Sequence, residues 1–251
     1  MDAAPPLAVF TALSWESAAV RAALRQPRRE DKRVWRGMAG RREVVVMTGG
    51  IGPRRTQSAL ERFQDTPLSA VVSVGCAGAL RANLMSGQLV LAPDVRVYAA
   101  DSPTQLERFP THPGFLKQAR TGAERAGIGV ADGPLFSSPR VLLSSQEKAY
   151  HGRLTQAIAV EMESGVHAAF ARARGLPFLP LRVILDPLGM SLPALKGLTT
   201  PEGDIRPLKA ASLMLTQPGS LPVLFSLGRI RTTAAQTITR LCRVLLPVLE
   251  A

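Results

Sequence analysis

The chain has 251 residues, of which 46% are hydrophobic and 20% are charged. This length and composition are enough for one large domain with a buried core, and they exclude a wholly disordered chain. The net charge of +12 is compatible with an anionic partner such as nucleic acid, a membrane surface or an acidic substrate, and equally with a solvated basic surface.

Several other classes of protein are disfavoured by the composition. No apolar run reaches the roughly 18–20 residues that span a bilayer, and the acidic N-terminus does not resemble a signal peptide. The two cysteines and three histidines show no disulfide or metal-ligand spacing, so no metal site is expected. Aromatic residues make up only 5%, which leaves few stacking platforms for nucleic acid. We therefore expect a cytoplasmic protein with no nucleic-acid partner.

Apolar runs that predict buried strands alternate along the chain with segments that predict helices. The predicted strands are 7–13, 34–38, 43–48, 70–74, 89–97, 141–143, 157–162 and 178–185. The predicted helices are 16–24, with Ser14 as its N-cap, 54–63, 117–126, 146–154 and 165–174, and loops are expected at 25–33 and 99–115. Near-continuous apolar strands between helices predict an α/β fold with a mostly parallel sheet covered on both faces.

The chain after Asp186 has a different composition. Residues 187–207 are rich in Pro, Gly and Leu, a helix is expected at 207–215, and another begins at Arg229. Apolar side chains follow helical spacing in that last segment, at Ile230, Ala234, Ile238, Leu241, Leu245 and Val248. Two interpretations remain open: a helix docked on the core, or a basic amphipathic helix on an anionic membrane surface.

The notable polar and glycine-rich motifs all follow predicted strands. They are Glu16, the glycines after Thr48 and Val74, the acidic segment 161–163, and Asp186. In open α/β sheets, ligands bind at the carboxyl ends of the strands. The motifs are therefore expected to meet at one edge of the sheet.

The glycine loop at 49–52 follows a strand and begins a helix. Backbone amides at such a junction bind phosphate or hydroxyl oxygens, and Arg54 nearby favours an anion. We take Gly50, Gly52 and Arg54 as a candidate phosphate or water loop. The spacing does not fit the dinucleotide fingerprint, and a bare turn is an equally good interpretation of the motif alone.

The turn Gly75-Cys76-Ala77-Gly78 is a second loop of small residues after a strand. Small side chains let a flat ligand approach the backbone, so Cys76, Ala77 and Gly78 are candidates for contact with a base. No histidine is placed to activate Cys76, which favours a packed thiol over a nucleophile.

Glu161 and Glu163 alternate on a predicted extended segment and are therefore expected to share a face. A carboxylate there accepts hydrogen bonds from vicinal hydroxyls, and Met162 offers an apolar surface; a strand-end salt bridge is the alternative. Asp186 ends an apolar strand, where burial raises its pKa and suits it to donate a proton. Arg182 is expected on the same face, either supporting Asp186 or forming a plain ion pair with it.

These segments resemble those of the purine nucleoside phosphorylase and nucleosidase superfamily. The segment 156–163, Gln-Ala-Ile-Ala-Val-Glu-Met-Glu, is very similar to that of methylthioadenosine/S-adenosylhomocysteine nucleosidases. Residues 12–16, 75–80 and 87–91 resemble the family's first-strand, base-pocket and Gly-Asp-hydrophobic motifs. The resemblance covers roughly residues 7–190 and implies a three-layer fold with a mostly parallel mixed sheet flanked by helices. We expect one domain over 1–251, with a core at 7–190 and a basic, apolar extension at 191–251.

The resemblance also implies a role for each matching residue. Glu163, aided by Met162, is expected to hold the ribose hydroxyls. Asp186 is expected to protonate the purine, with support from Arg182, and Glu16 is expected to position the attacking water.

Two departures separate the chain from the nucleosidases. The stretch that carries an adenine-stacking aromatic in that family reads Arg140-Val141-Leu142 here, so Val141 and Leu142 are expected in the base pocket. The long tail, with Leu192-Pro193 and Arg206-Pro207, most resembles the hopanoid-associated phosphorylases, which remove adenine from adenosylhopane.

The resemblance therefore implies an enzyme that releases adenine from a lipid-linked nucleoside, as a homo-oligomer with peripheral membrane contact. No cofactor is expected; inorganic phosphate is the one candidate co-substrate. The family resemblance favours phosphorolysis, whereas Glu16 favours hydrolysis because a carboxylate repels phosphate. The alternatives are a methylthioadenosine/S-adenosylhomocysteine nucleosidase and a non-catalytic nucleotide or nucleic-acid binder.

Overall fold

The structure, a computed structural model, describes residues 4–99, 102–190 and 221–250. The strands are β1 Leu7–Thr11, β2 Arg25–Arg29, β3 Val34–Ala39, β4 Arg42–Thr48, β5 Ala70–Ala79, β6 Leu89–Leu91, β7 Asp94–Ala99, β8 Ser102–Pro110, β9 Val130–Asp132, β10 Leu135–Ser137, β11 Ala159–Glu161 and β12 Phe178–Asp186. The helices are α1 Ser14–Arg21, α2 Pro53–Leu60, α3 Pro113–Arg125, α4 Ser145–Thr155, α5 Ser164–Ala173 and α6 Leu221–Leu245.

The strands form one mixed sheet with β5 near its centre. β1 pairs in parallel with β4 and with the first half of β5, and β12 pairs in parallel along the other edge of β5. Beyond the end of β1, β11 lies beside β5 and runs antiparallel to it. Gly78 is consequently flanked by Val160 on one side and Asp186 on the other. The predicted α/β fold with a mixed central sheet is confirmed.

Apolar side chains cover both faces of the sheet, as the near-continuous apolar strands predict. On one face, Val9 and Val72 pack in a cluster with side chains of α1, α3 and α6. On the other face, Phe10 and Val71 pack with side chains of α2 and α5. The carboxyl ends of β1, β5 and β12 lie at the same edge of this three-layer arrangement.

Several predicted boundaries were wrong. Residues 99–115 were expected to be irregular, but they contain all of β8 and the start of α3, which has Pro113 in its first turn. β8 forms a hairpin with β7, so a partner strand rather than local apolar pattern stabilises it. The expected loop at 25–33 contains the exposed edge strand β2, and 141–143 is not a strand.

The last helix is docked on the core. Ala234, Ile238, Leu241 and Leu245 of the predicted apolar stripe are buried against the sheet face that also carries α1 and α3. The interpretation of this stripe as a membrane-binding face is therefore wrong, because the core already covers it. Among the described residues, no helix is long and apolar enough to cross a bilayer. The expected helix at 207–215 and the two Leu-Pro and Arg-Pro motifs lie outside the described residues.

Candidate functional site

One pocket of about 260 Å³ lies where the carboxyl ends of β1, β5 and β12 meet the segment after β11. Most of the residues that the sequence singles out line it: Glu16, Cys76, Ala77, Gly78, Val141, Leu142, Glu161, Met162, Glu163 and Asp186. Arg182, Gly50, Gly52 and Arg54 do not line it, although Ile51 of the glycine loop does. The motifs therefore converge on a single site, as their positions after strands predicted.

Glu16 lies in the first turn of α1 and is almost fully buried. Its Oε2 accepts hydrogen bonds from the N–H groups of Ala12 and Leu13, at 3.1 and 3.0 Å, and its Oε1 accepts one from Cys76 at 2.9 Å. Burial raises the pKa of this carboxyl, and the charge of Arg182 and the three amides oppose that shift. The expected N-cap at Ser14 was wrong, because α1 begins there and the Glu16 carboxyl binds the amides that precede the helix.

Glu163 follows β11 at the N-terminus of α5 rather than continuing the strand. Its Oε1 accepts a hydrogen bond from the N–H of Gly52 at 2.8 Å, which ties the acidic segment to the glycine loop. Burial, followed by the charge of Glu161, raises the pKa of Glu163 to about 8. The raised pKa favours the neutral carboxyl, which both donates and accepts hydrogen bonds and so suits a pair of hydroxyls.

Glu161 is engaged inside the protein. Its Oε2 accepts hydrogen bonds from the N–H groups of Glu163 and Ser164, at 3.0 and 2.8 Å, and from the Arg182 guanidinium at 2.8 Å. The prediction that Glu161 and Glu163 share an extended face was wrong, because the chain turns into α5 after Glu161. A contact between Glu161 and ribose stays a prediction. Glu161 instead shapes the turn that presents Glu163.

Arg182 is buried and does not contact Asp186. Its guanidinium pairs with Glu161, and it donates to the Ser73 hydroxyl and carbonyl oxygens at 2.7 Å each. Ser73 in turn lies 2.7 Å from Nδ1 of His167, whose pKa is well below its usual range because of burial and the nearby Arg182 charge. The expected contact between Arg182 and Asp186 was therefore wrong.

The cation that contacts Asp186 is Lys148 of α4, which sequence reasoning missed. Both side chains are buried, and the Lys148 ammonium donates to Asp186 Oδ2. Burial raises the pKa of Asp186, and Lys148 opposes the shift. A Cβ on Gly78 would lie 2.8 Å from Asp186 Oδ2, so only glycine leaves room for the carboxyl at this position.

One sequence signal does point to Lys148. It lies near the N-terminus of α4, where the helix dipole disfavours a cation, so an acidic partner is expected there. The identity of that partner depends on tertiary structure.

The amides of the glycine loop are mostly used within the protein. Gly49 N–H donates to Thr11 O, Gly50 N–H donates to Ala12 O, and Gly52 N–H donates to Glu163. Arg54 is exposed on α2. The loop thus positions Glu163 through Gly52, and the phosphate or water site at Gly50, Gly52 and Arg54 stays a prediction.

The remaining wall of the pocket is apolar and close to the backbone of β5. Ala77 and Leu142 are buried, whereas Val141 is 46% exposed at the pocket wall. Burial and the nearby Glu16 raise the pKa of the Cys76 thiol well above its usual range, which favours the packed thiol over a nucleophile. Flat apolar walls next to Asp186 fit an aromatic base whose ring nitrogen meets the carboxyl.

A second cavity of about 640 Å³ adjoins the first and shares Met162 with it. Its walls include Leu60, Tyr98, Phe109 and Phe170. These side chains are mostly apolar, so the cavity fits a hydrophobic group better than a charged one. Among the described residues no cluster of metal-ligating side chains occurs.

Comparison with known families agrees with this geometry. A profile of the Phosphorylase superfamily matches residues 6–197. The chain belongs to this superfamily. One relative is the 5′-methylthioadenosine/S-adenosylhomocysteine nucleosidase of Haemophilus ducreyi. It is 24% identical to this Phosphorylase-superfamily chain over 166 residues, which cover 61% of this chain and 72% of the relative. The Bacillus pumilus nucleosidase is 27% identical over 164 residues, covering 59% and 70%.

Solved structures show the same fold. The Neisseria meningitidis nucleosidase in complex with methylthio-immucillin-A has a TM-score of 0.73 at 20% identity, covering 97% of this chain and 99% of its own. The futalosine hydrolase of Helicobacter pylori has a TM-score of 0.72 at 17% identity, covering 98% of each chain. The predicted superfamily and the assignment as an enzyme that cleaves the N-glycosidic bond of a nucleoside are confirmed, whereas the hopanoid-associated subtype stays a prediction.

Proposed function

We propose that this enzyme releases adenine from a nucleoside whose ribose carries a large apolar group, with adenosylhopane as the substrate, and that water is the nucleophile. The observation that carries the proposal is the meeting of three buried carboxyls, Glu16, Glu163 and Asp186, in one pocket. Three such groups are expensive to bury unless each one is used or paired.

The three carboxyls divide the work of breaking the glycosidic bond. Glu163 binds the ribose hydroxyls, and Asp186 gives a proton to the base so that it leaves as a neutral molecule. General acid assistance of this kind is typically worth about 10²–10⁴-fold. The sugar passes through an oxocarbenium-like transition state, and water attacks the anomeric carbon while Glu16 accepts its proton.

Water is favoured over phosphate by the contacts around the nucleophile position. Glu16 lines the pocket, and a carboxylate repels an anionic nucleophile. The amides that would cradle phosphate donate to Thr11, Ala12 and Glu163. This reverses the preference for phosphorolysis that the resemblance alone suggests.

The second cavity supports an apolar substituent on the ribose. It begins at Met162, beside the ribose anchor Glu163, and it is larger than the pocket itself. A hydrocarbon group gains about 25 cal/mol per Å² when apolar surface leaves water. Val141 and Leu142 line the pocket, and on the resemblance they stand where the nucleosidases carry an aromatic side chain.

A second candidate is the cleavage of methylthioadenosine or S-adenosylhomocysteine. The curated relatives carry that name, and their identity of 24–27% over about 60% of the chain favours the same class of bond. The two candidates share the chemistry and differ in the group on the ribose.

The test is adenine release from adenosylhopane in detergent, methylthioadenosine, S-adenosylhomocysteine and adenosine, each with and without phosphate. Adenosylhopane is expected to give the highest kcat/KM, with no dependence on phosphate. A strict requirement for phosphate would refute water as the nucleophile. A preference for methylthioadenosine would favour the second candidate function, the cleavage of methylthioadenosine or S-adenosylhomocysteine.

The acid role is tested by Asp186→Asn, which should reduce turnover at least 100-fold without unfolding the protein. Asp132→Asn, at an exposed acid paired with Arg120, is the matched control and should leave turnover unchanged. Near-normal turnover of the Asp186 variant would remove it from the mechanism. A homo-oligomer, and a cytoplasmic location at the inner membrane face, stay predictions.

A further inference from the structure

Lys148 is a buried cation that neither the sequence motifs nor the three-carboxyl mechanism accounts for. Its side chain is 1% exposed and lies on the wall of the nucleoside pocket. Its ammonium donates to Asp186 Oδ2 and to the carbonyl oxygens of Met190 and Pro187, at 2.9 and 3.4 Å. The three donors of the ammonium thus all meet oxygen atoms, so its position is fixed.

The backbone is built to bring Lys148 to this position. One turn after Lys148, a Cβ on Gly152 would lie 2.8 Å from the carbonyl oxygen of Leu80, just beyond the end of β5. Helix α4 therefore packs directly on the chain that forms the pocket floor. Gly78 leaves the matching space for the carboxyl on the other side.

Stability alone is a poor explanation for this pair. Desolvation of two charges offsets most of their attraction, and well-packed apolar residues often replace a buried ion pair without loss. A pair that lies on a pocket wall, with one partner a candidate acid, is better explained by chemistry.

We propose that Lys148 is a positioning residue that acts through Asp186: it holds the carboxyl in place and stabilises the carboxylate that forms as the base leaves. The proposal rests on the proposed function. The glycosidic bond breaks and its electron pair goes to the base, while the Asp186 proton moves to a ring nitrogen of the base. Asp186 becomes a carboxylate, Lys148 keeps its protons, and water forms the new bond to the sugar and gives its proton to Glu16.

The ion pair strengthens as this charge develops. Lys148 therefore stabilises the transition state more than the ground state, which is what accelerates a reaction. Other titratable or charged groups also face the pocket from the packed elements: Cys76 on β5, Glu16 on α1, Glu161 at the end of β11, Glu163 after it, and Arg140 before α4. Of the side chains, only Lys148 hydrogen-bonds to the Asp186 carboxyl among the described residues.

The test compares Lys148→Met with Lys148→Arg. In the methionine variant, the hydrogen bond and the charge of Lys148 no longer oppose the effect of burial, so the pKa of Asp186 rises and the alkaline limb of the kcat profile moves to higher pH. The plateau of kcat should fall by about 10- to 100-fold, the value of one charge-assisted hydrogen bond. The arginine variant keeps the charge and should restore most of the rate and the original limb.

A measurement without turnover separates this proposal from the proposed function. The carboxyl carbon of Asp186, labelled with ¹³C and assigned with Asp186→Asn, is titrated by NMR in the ligand-free wild type and in Lys148→Met. A higher titration midpoint in the variant supports the proposal. An unchanged midpoint, or a loss of rate that is equal at every pH, would overturn it and leave Lys148 a structural role. A wild type that releases no adenine overturns the proposed function, whatever the titration shows.

Discussion

The close approach of Gly78 to Asp186 gives a prediction that can be worked from distances. A Cβ at residue 78 would lie 2.8 Å from Asp186 Oδ2, and 3.2 and 3.3 Å from Oδ1 and Cγ. Ordinary van der Waals contact begins near 3.4 Å, so Gly78→Ala must push the carboxyl back by about 0.6 Å. Rotation of the carboxyl away from residue 78 would break the hydrogen bond that Lys148 donates to Oδ2.

The expected cost follows from that displacement. A misplacement of 1 Å costs about 100-fold in rate, so 0.6 Å should cost roughly 10- to 20-fold in kcat/KM. The overpacked methyl should also lower the free energy of unfolding by about 1–3 kcal/mol. The backbone of Gly78 is not in the left-handed region, so alanine adds no strain of its own.

Adenine release under initial-rate conditions measures the loss, and urea unfolding measures the stability. Gly189→Ala is the matched control, because a Cβ there meets nothing within 4 Å and Gly189 lies only three residues after the acid. An unchanged kcat/KM in Gly78→Ala would show that catalysis does not depend on the position of the Asp186 carboxyl.

Three further predictions concern stability. Because burial and Glu161 raise the pKa of Glu163 to about 8 from an ordinary 4.5, the folded protein keeps a proton that the unfolded chain loses. The free energy of unfolding should therefore fall between about pH 4.5 and 8, by at most about 1.4 kcal/mol per pH unit. Urea titrations at pH 5.5 and 7.5 measure this pH dependence, which should be weaker in Glu163→Gln than in the wild type. The same pH dependence in both proteins would contradict the prediction. Arg182→Met leaves Glu161 buried without its cation and should cost about 3–5 kcal/mol in denaturant unfolding, whereas a loss below 1 kcal/mol would show the pair to be dispensable. Deleting α6 exposes the core that Ile238 and Leu245 cover, and it should abolish the cooperative thermal transition seen by circular dichroism; a sharp transition in the shortened chain would show that the helix is an accessory.

The site was partly predictable because strand order constrains where motifs meet. Glu16, Glu163 and Asp186 each follow a predicted strand, and the carboxyl ends of such strands share one edge of the sheet. Their convergence in one pocket needed no knowledge of side-chain contacts. Residues 76–78 also reach the pocket for this reason, although they lie inside β5 and not in the expected turn.

The partners of these groups were not predictable, because they depend on tertiary contacts. Arg182 was assigned to Asp186 from strand alternation, yet a register shift between Ile184 and Asp186 separates the two faces. Lys148 reaches the acid only because Gly152 lets α4 pack closely. The local sequence pattern does not predict this close packing between α4 and the chain after β5.

The strand pairing at Gly78 has a consequence for the size of the base. Val160, three residues before the ribose anchor, and Asp186 pair with opposite sides of Gly78, so two inter-strand spacings separate them. At about 4.8 Å each, these fix a distance of roughly 10 Å that no side-chain rotation can shorten by much. The backbone thus holds Asp186 at this distance from the strand that leads to the sugar anchor. We expect a nucleoside with a one-ring base, held by the same ribose contacts, to stop short of Asp186 and to be bound without being cleaved.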